Sequence, residues 1–185
     1  MTICKYAVVG NPISHSKSPQ IHAMFSKQTA QDLHYSAILA DIDGFDKAAD
    51  TFFAEGGQGL NVTVPFKRDA FDYASRTTVR ATAAKAVNTL ILEQDGSITG
   101  DNTDGIGLAN DILNNLGWEI KAKRLLVLGA GGAVQGILEP LLDLQPQHIV
   151  IANRSVDKAL RLAKQFSESG YLIAVSYTHL RAHET

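Results

Sequence analysis

Residues 124–134, "RLLVLGAGGAV", carry an unbroken apolar run straight into a glycine cluster and on into a helical pattern. A run without polar alternation reads as a strand buried on both faces, the habit of parallel sheets covered by helices. That stretch commits the chain to α/β layering, and apolar runs alternate with helical spacing through the rest of it. "ICKYAVV" (3–9) reads as a strand. Ser18 followed by Pro19 reads as an N-cap opening a helix over 19–30, with Ile21, Met24 and Phe25 on its apolar side. "HYSAILA" is a second strand, and a helix over 43–54 spaces Phe45, Ala48, Ala49, Phe52 and Phe53 along one face. "GLNVTV" is a third strand, with Val62, Val64 and Phe66 alternating on a buried side. Helices over 66–75 and 78–85, a hairpin turning at Asp95-Gly96 and a helix over 104–116 follow. A short polar connection then leads to the glycine-rich unit, to "HIVIANRS", to a helix over 156–168 and to a third strand near "YLIAVS". A domain boundary is expected within 103–120, with Trp118 packing at the junction.

Composition narrows the function classes. Of 185 residues, 45% are apolar and 19% charged, enough to bury a core. A formal net charge of −2 gives no electrostatic reason to bind nucleic acid or an anionic membrane. The single cysteine, Cys4, cannot close an internal disulfide. "MTICKYAVVGNP" does not read as a signal peptide and no apolar run approaches membrane-spanning length, so a soluble cytoplasmic protein is expected. The six histidines lack metal-ligand spacing, and no metal is expected. There is no G-x-S-x-G elbow, and Ser14-His15-Ser16 are chain neighbours, whereas catalytic Ser/His pairs meet in space. His15 and His22 read as surface or helix-packing residues.

The turn Gly129-Ala130-Gly131-Gly132-Ala133 sits between a strand and a helix, the context of a dinucleotide fingerprint. Glycines admit a pyrophosphate to the backbone, and the helix N-terminus offers N–H groups. Val134 occupies the position of the third glycine. The acid that pairs with an NAD ribose at the end of the next strand is absent; Asn153, Arg154 and Ser155 stand there, with Lys158 one turn on. Arg154 suits a 2′-phosphate, which favours NADP over NAD; a solvated surface arginine is the duller reading.

The N-terminal half ends its apolar runs in polar clusters: Ser14-His15-Ser16-Lys17-Ser18; Asn61-Val62-Thr63 with Lys67; Asn88-Thr89; and Asp101-Asn102-Thr103-Asp104-Gly105. At carboxyl ends of strands such clusters converge on a crevice, and this set suits a small hydroxylated acid. Singly, each has a plainer role: Ser18 and Asp104 as helix caps, Asn88 in a turn, Lys67 as surface charge.

"NPISHSKSPQIH", "NVTVPFK", "AVNT", "GDNTDGIGL", "VLGAGGA" and "ANRS" occur in this order, and the chain resembles the shikimate dehydrogenases from about residue 5 to about 170. The resemblance implies an N-terminal α/β substrate domain (1–103) followed by an incomplete Rossmann-type NADP-binding domain (104–175). It implies NADPH-dependent reduction of 3-dehydroshikimate to shikimate, on the route to chorismate and the aromatic amino acids. Ser14 and Ser16 would hold the substrate carboxylate. Thr63, Asn88 and Asp104 would bind ring substituents, with Asn61 nearby, and Lys67 and Asp104 would form the catalytic pair. Gly129, Ala130, Gly131, Gly132 and Ala133 would carry the pyrophosphate, and Asn153, Arg154, Ser155 and Lys158 the adenosine phosphate end. A quinate/shikimate dehydrogenase is the near alternative. The partner expected is a small molecule, with no nucleic acid and no membrane; a homodimer stays open.

The C-terminus departs from the family pattern. A dinucleotide domain of this kind has about six strands, and here two βα units and a third strand are readable. "SYTHLRAHET" reads as an unrelated tail over 176–185, so the chain is expected to be a truncated, non-catalytic form. The strand "LLVLGA" (125–130) would then have an open edge, each large side chain left in water forfeiting about 1.5–3 kcal/mol.

Overall fold

The computed structural model describes residues 3–177, which divide between Asn102 and Thr103 into two compact units. In chain order the first holds β1 (Cys4–Gly10), α1 (Ser18–Thr29), β2 (Leu33–Leu39), α2 (Phe45–Ala54), β3 (Gly57–Val62), α3 (Lys67–Tyr73), β4 (Arg76–Thr77), α4 (Val79–Ala84), β5 (Thr89–Leu92) and β6 (Ile98–Asp101). Its six strands pair in the order β2-β1-β3-β5-β6-β4. Every neighbouring pair is parallel except β3–β5 and β5–β6, so β5 alone runs against the rest.

One sheet face is apolar because alternate residues point the same way. Ala7 and Val9 of β1, Leu60 and Val62 of β3, Leu90 of β5 and Ile98 of β6 bury themselves against Phe45 and Ala49 of α2, Phe66, Ala70 and Ala81. Phe66 and Leu60 are among the largest fully enclosed side chains. Thr78 caps α4, its side chain accepting the Ala81 N–H at 3.3 Å.

Three local expectations change. Val64 is 67% exposed, not buried. Strand pairing stops at Val62, and Val64 sits in the turn into α3, its carbonyl accepting the Asn11 N–H at 3.1 Å. Ser18 is the first residue of α1 rather than its cap; Lys17 is the cap residue, and no side chain closes that end. Ile21, Met24 and Phe25 are 45%, 60% and 51% exposed, and α1 has no fully buried residue. Helical spacing sets which residues share a side; nothing described covers that one.

The second unit holds α5 (Asp104–Asn110), a π-helical turn (Asp111–Asn115), β7 (Arg124–Leu128), α6 (Gly132–Asp143), β8 (His148–Asn153), α7 (Val156–Gln165) and β9 (Leu172–Ser176). β7, β8 and β9 form a parallel sheet in that order. Ile149, Ile151, Leu138, Ala159, Leu162 and Phe166 are buried. Among the described residues β7 pairs on one side only, the open edge that was expected, and Leu126 and Leu128, which share one face of the sheet, are 55% and 64% exposed. Asp104 begins α5 rather than capping it; Thr103 precedes it as the cap residue. Trp118 is 65% exposed, against its expected packing role. β9 runs through Ser176, so the strand continues one residue into the expected tail, and residues 178–185 lie outside the described residues.

Candidate active site

In the first unit, strand direction decides where the polar clusters meet. β1, β3 and β6 run together and β5 runs against them, so the ends of β1, β3 and β6 and the start of β5 share one rim. Backbone hydrogen bonds tie this rim together. Thr63 N–H donates to the Val9 carbonyl (3.0 Å), Val62 N–H to the Asn88 carbonyl (2.8 Å), Asn88 N–H to the Asp101 carbonyl (2.9 Å) and Val87 N–H to the Lys67 carbonyl (2.8 Å). The loop bearing Ser14 and Ser16, the turn bearing Thr63 and Lys67, and Asn88 therefore sit at one edge of one sheet.

Each side chain there has a local setting. Ser14 is exposed, whereas Ser16 is half-buried and its Oγ accepts the Ser18 N–H at 3.3 Å. Thr63 presses on Gly10: a Cβ at Gly10 would lie 2.5 Å from Thr63 Cγ2, so only glycine fits beneath the threonine. Lys67 is the first residue of α3 and half-buried. Asn61 lies on β3, and its Oδ1 accepts the Tyr35 hydroxyl at 2.6 Å. Its Nδ2 donates to Thr89 Oγ1 at 3.3 Å, and Thr89 Oγ1 donates to Asn88 Oδ1 at 2.9 Å.

Behind the rim, Asp101 is 7% exposed and held by donors from three residues. Arg80 Nε and Thr78 Oγ1 each reach its Oδ1 at 2.7 Å, and the Asn102 N–H reaches the same oxygen at 2.7 Å. Arg80 also binds Asp101 Oδ2. Burial works against the charge, but the hydrogen bonds from Arg80 and Thr78, together with the guanidinium charge, outweigh it and hold the carboxyl below its usual value. Asn102 is buried, with Nδ2 on the Ala86 carbonyl at 3.1 Å. Asp101 and Asn102 are thus structural members of a polar motif, and Arg80 and Tyr35 are partners that the sequence did not mark.

In the second unit the glycine turn and the end of β8 enclose a recess of about 330 Å³, lined by Gly129, Ala130, Gly131, Asn153, Arg154, Ser155 and Lys158. Gly129 has φ of 116°, a left-handed conformation that side chains resist. Its N–H donates to the Ala152 carbonyl at 2.7 Å. Gly131 precedes α6 with no side chain capping the helix, so N–H groups of the first turn face outward. A Cβ on Gly131 or Gly132 would meet nothing within 4 Å. Protein packing does not demand these two glycines, and the space beside them is open. Gly132 and Ala133 belong to the first turn of α6 and do not line the recess. Arg154 and Lys158 bring two positive charges to it, and Asn153 Nδ2 closes the turn onto the Ser155 carbonyl at 2.8 Å. An anionic dinucleotide fits this chemistry: outward N–H groups for a diphosphate and two cations for a further phosphate.

A larger hollow of about 590 Å³ opens between β2 and α2, lined by Lys5, His34, Lys47 and Phe52 among others, and none of the sequence-predicted site residues lines it. Among the described residues, no helix is long and apolar enough to cross a membrane, and no group of three or more His, Cys, Asp or Glu could hold a metal.

Two family models match this chain in tandem: the shikimate dehydrogenase substrate binding domain over residues 8–90, and shikimate / quinate 5-dehydrogenase over residues 108–183. The chain belongs to the shikimate dehydrogenase family. The second match runs past residue 176, where the sequence was expected to leave the family pattern. A shikimate dehydrogenase (NADP(+)) of Cellvibrio japonicus is 58% identical over 175 residues, which is 95% of this chain and 63% of that one. The chain thus spans under two thirds of the length of that shikimate dehydrogenase. Among solved structures, an Ael1 enzyme from Pseudomonas putida matches with a TM-score of 0.91 at 46% identity, over 97% of this chain and 66% of its own. Shikimate 5-dehydrogenase of Thermus thermophilus, solved with NADP(H) and shikimate, matches with a TM-score of 0.83 at 29% identity, over 94% and 63%. The mixed α/β fold with parallel-dominated sheets is the one these family members share.

Proposed function

We propose that this chain carries the substrate and cofactor sites of an NADP-dependent shikimate dehydrogenase, which reduces 3-dehydroshikimate to shikimate. The observation that carries the reading is the shared rim: in a chain of this family, the Ser14–Ser16 loop, Thr63, Lys67 and Asn88 all reach one sheet edge through parallel β1 and β3 and antiparallel β5. Ser14 and Ser16 hydroxyls donate to the substrate carboxylate. Thr63, Asn88 and Asp104 bind ring oxygens, with Asn61 behind them. When bound in the recess of Gly129 to Gly131, Arg154 and Lys158, the cofactor supplies the hydride. As charge develops on the substrate oxygen, the Lys67 ammonium stabilises it and delivers the proton, while Asp104 orients Lys67.

A second reading is that the 185-residue chain binds these ligands without turning them over. The open side of β7 favours it, since Leu126 and Leu128 there lack the cover that such a strand is built for. Purified chain with NADP⁺ and shikimate, followed at the nicotinamide absorbance, separates the two. Where turnover occurs, Lys67→Ala lowers kcat by at least about 10² with NADP⁺ affinity unchanged, and a fall within about threefold overturns the assignment. Where only binding occurs, the same variant weakens shikimate binding and spares NADP⁺. Parallel assays with quinate and with NAD⁺ fix the acid and the cofactor.

A further inference from the structure

Between α4 and β5 the chain passes through Ala86, Val87 and Asn88, and main-chain hydrogen bonds fix where it lies. Val87 N–H donates to the Lys67 carbonyl at 2.8 Å and Asn88 N–H to the Asp101 carbonyl at 2.9 Å. The Ala86 carbonyl accepts Asn102 Nδ2 at 3.1 Å. Asp101 and Asn102, where β6 ends, thus hold this segment from one side while Lys67 meets it from another. Ala86, Val87, Asp101 and Asn102 are all buried. The pair at the end of β6 is held in turn from α4. Arg80 lays its guanidinium against the Asp101 carboxylate, with Nε on Oδ1 at 2.7 Å and Nη2 on Oδ2. Thr78 Oγ1 donates to Oδ1 at 2.7 Å. The same Oδ1 accepts the Asn102 N–H at 2.7 Å, so the carboxylate fixes the turn that aims Asn102 at Ala86. Each link has one sense, because every acceptor in it is a carbonyl or a carboxylate.

We propose that Arg80 is a positioning residue: acting through Asp101 and Asn102, its two-pronged hold on the carboxylate keeps the Ala86–Asn88 segment, and with it the main chain of Lys67, in place at the rim. A guanidinium suits the task because its planar fork meets both carboxylate oxygens at once and so sets the carboxylate's angle as well as its charge. Arg80 itself stands behind the rim and acts on Lys67 and Asn88 only through this chain of bonds. The effect on a ligand rests on the proposed function; the effect on the main chain does not.

The experiment reads amide hydrogen exchange in the ¹⁵N-labelled 185-residue chain. Arg80→Met keeps an unbranched side chain and removes the fork. It should speed exchange at Val87, Asn88 and Asn102 by about tenfold or more, the loss of a charge-assisted pair, and leave Ala7 and Val9 of β1 within about threefold. Arg80→Lys keeps the charge without the fork and should speed exchange at the same positions, so a methionine variant that does not fold still leaves a decisive one. In a folded variant, equal acceleration at the β1 amides, or none at Val87, Asn88 and Asn102, overturns the proposal. Titrations of the same proteins give the second readout: the shikimate dissociation constant should rise about tenfold while that of NADP⁺ stays within about twofold. Shikimate affinity unchanged in a variant whose rim amides exchange faster also overturns it. If the unsubstituted chain binds no shikimate while the amides respond as expected, the proposed function falls and the main-chain role of Arg80 stands.

Discussion

Gly105 and Gly136 bring α5 and α6 into backbone contact: a Cβ on Gly105 would lie 2.5 Å from the Gly136 carbonyl oxygen and 3.0 Å from Ile137 Cα. In a dinucleotide fingerprint the third glycine serves close helix packing. Here Val134 holds that position, and the close approach falls to Gly136, two residues on. Gly105→Ala should therefore cost about 1–3 kcal/mol as backbone gives way. Gly107 is the control in the same helix, since a Cβ there meets nothing within 4 Å. Gly107→Ala should stabilise by about 0.5–1 kcal/mol through helix propensity. Chemical denaturation of both variants, followed by circular dichroism, checks the opposite signs.

Asp101 gives the first unit an acid-sensitive anchor. Its carboxyl is held below the usual range, so the folded state binds its proton less readily than the unfolded chain. The stabilisation is complete above the unfolded value, about 3.9, and is lost as pH falls through the lower folded value. Asp101→Asn should remove that acid-side dependence and lower stability at pH 7 by about 1–3 kcal/mol, the figure kept modest because Arg80 is partly exposed to solvent. Urea midpoints measured from pH 7 down to pH 2 carry the test, and identical slopes for both proteins would refute the anchor.

Glu139 on α6 shows the opposite behaviour. Its Oε2 is buried without a hydrogen-bond partner, and burial first, then the neighbouring charge of Asp143, raises its pKa. A raised carboxyl binds its proton more tightly when folded, so its contribution is best below the unfolded value, about 4.3, and declines as pH rises through the folded value. Glu139→Gln should raise the melting temperature at pH 7 and change it little at pH 3.5. Thermal melts at the two pH values decide it; equal gains at both would show that charge is not the cause.

The recess beside the glycine turn places Arg154 and Lys158 together. Under the proposed function Arg154→Ser should weaken NADP⁺ binding by about 10- to 100-fold, the loss of a charge-assisted pair, and leave NAD⁺ binding within about twofold. Calorimetric titration with each dinucleotide measures the ratio. An equal loss for both would place Arg154 on a group that the two cofactors share.

Strand ends were the most readable part of this molecule. Asn61, Thr63, Asn88 and Asp101 each follow or end an apolar run, and α/β topology then carries such residues to one rim, so their grouping follows from pattern alone. The failures have physical causes too. Alternation continued through Val64 in the sequence, but Pro65 has no N–H to continue a ladder, and Val64 stands in solvent. Ile21, Met24 and Phe25 share a helix side by spacing, yet spacing is silent on whether anything lies against it. Arg80 and Asp101 are 21 positions apart on different elements, and no local rule pairs them. Tyr35 looked like any aromatic on a strand; only the position of Asn61 opposite its hydroxyl gives it a role.

The rim loops stand outside the apolar layer of Phe45, Leu60, Phe66 and Leu90. Under the proposed function, recognition and cohesion fall largely to separate sets of atoms, joined by main-chain links such as Val62 to Asn88. Exposed Ser14 is accordingly the position most open to exchange when the ligand is redesigned, whereas Thr63 is tied to Gly10 and Asn88 to Thr89.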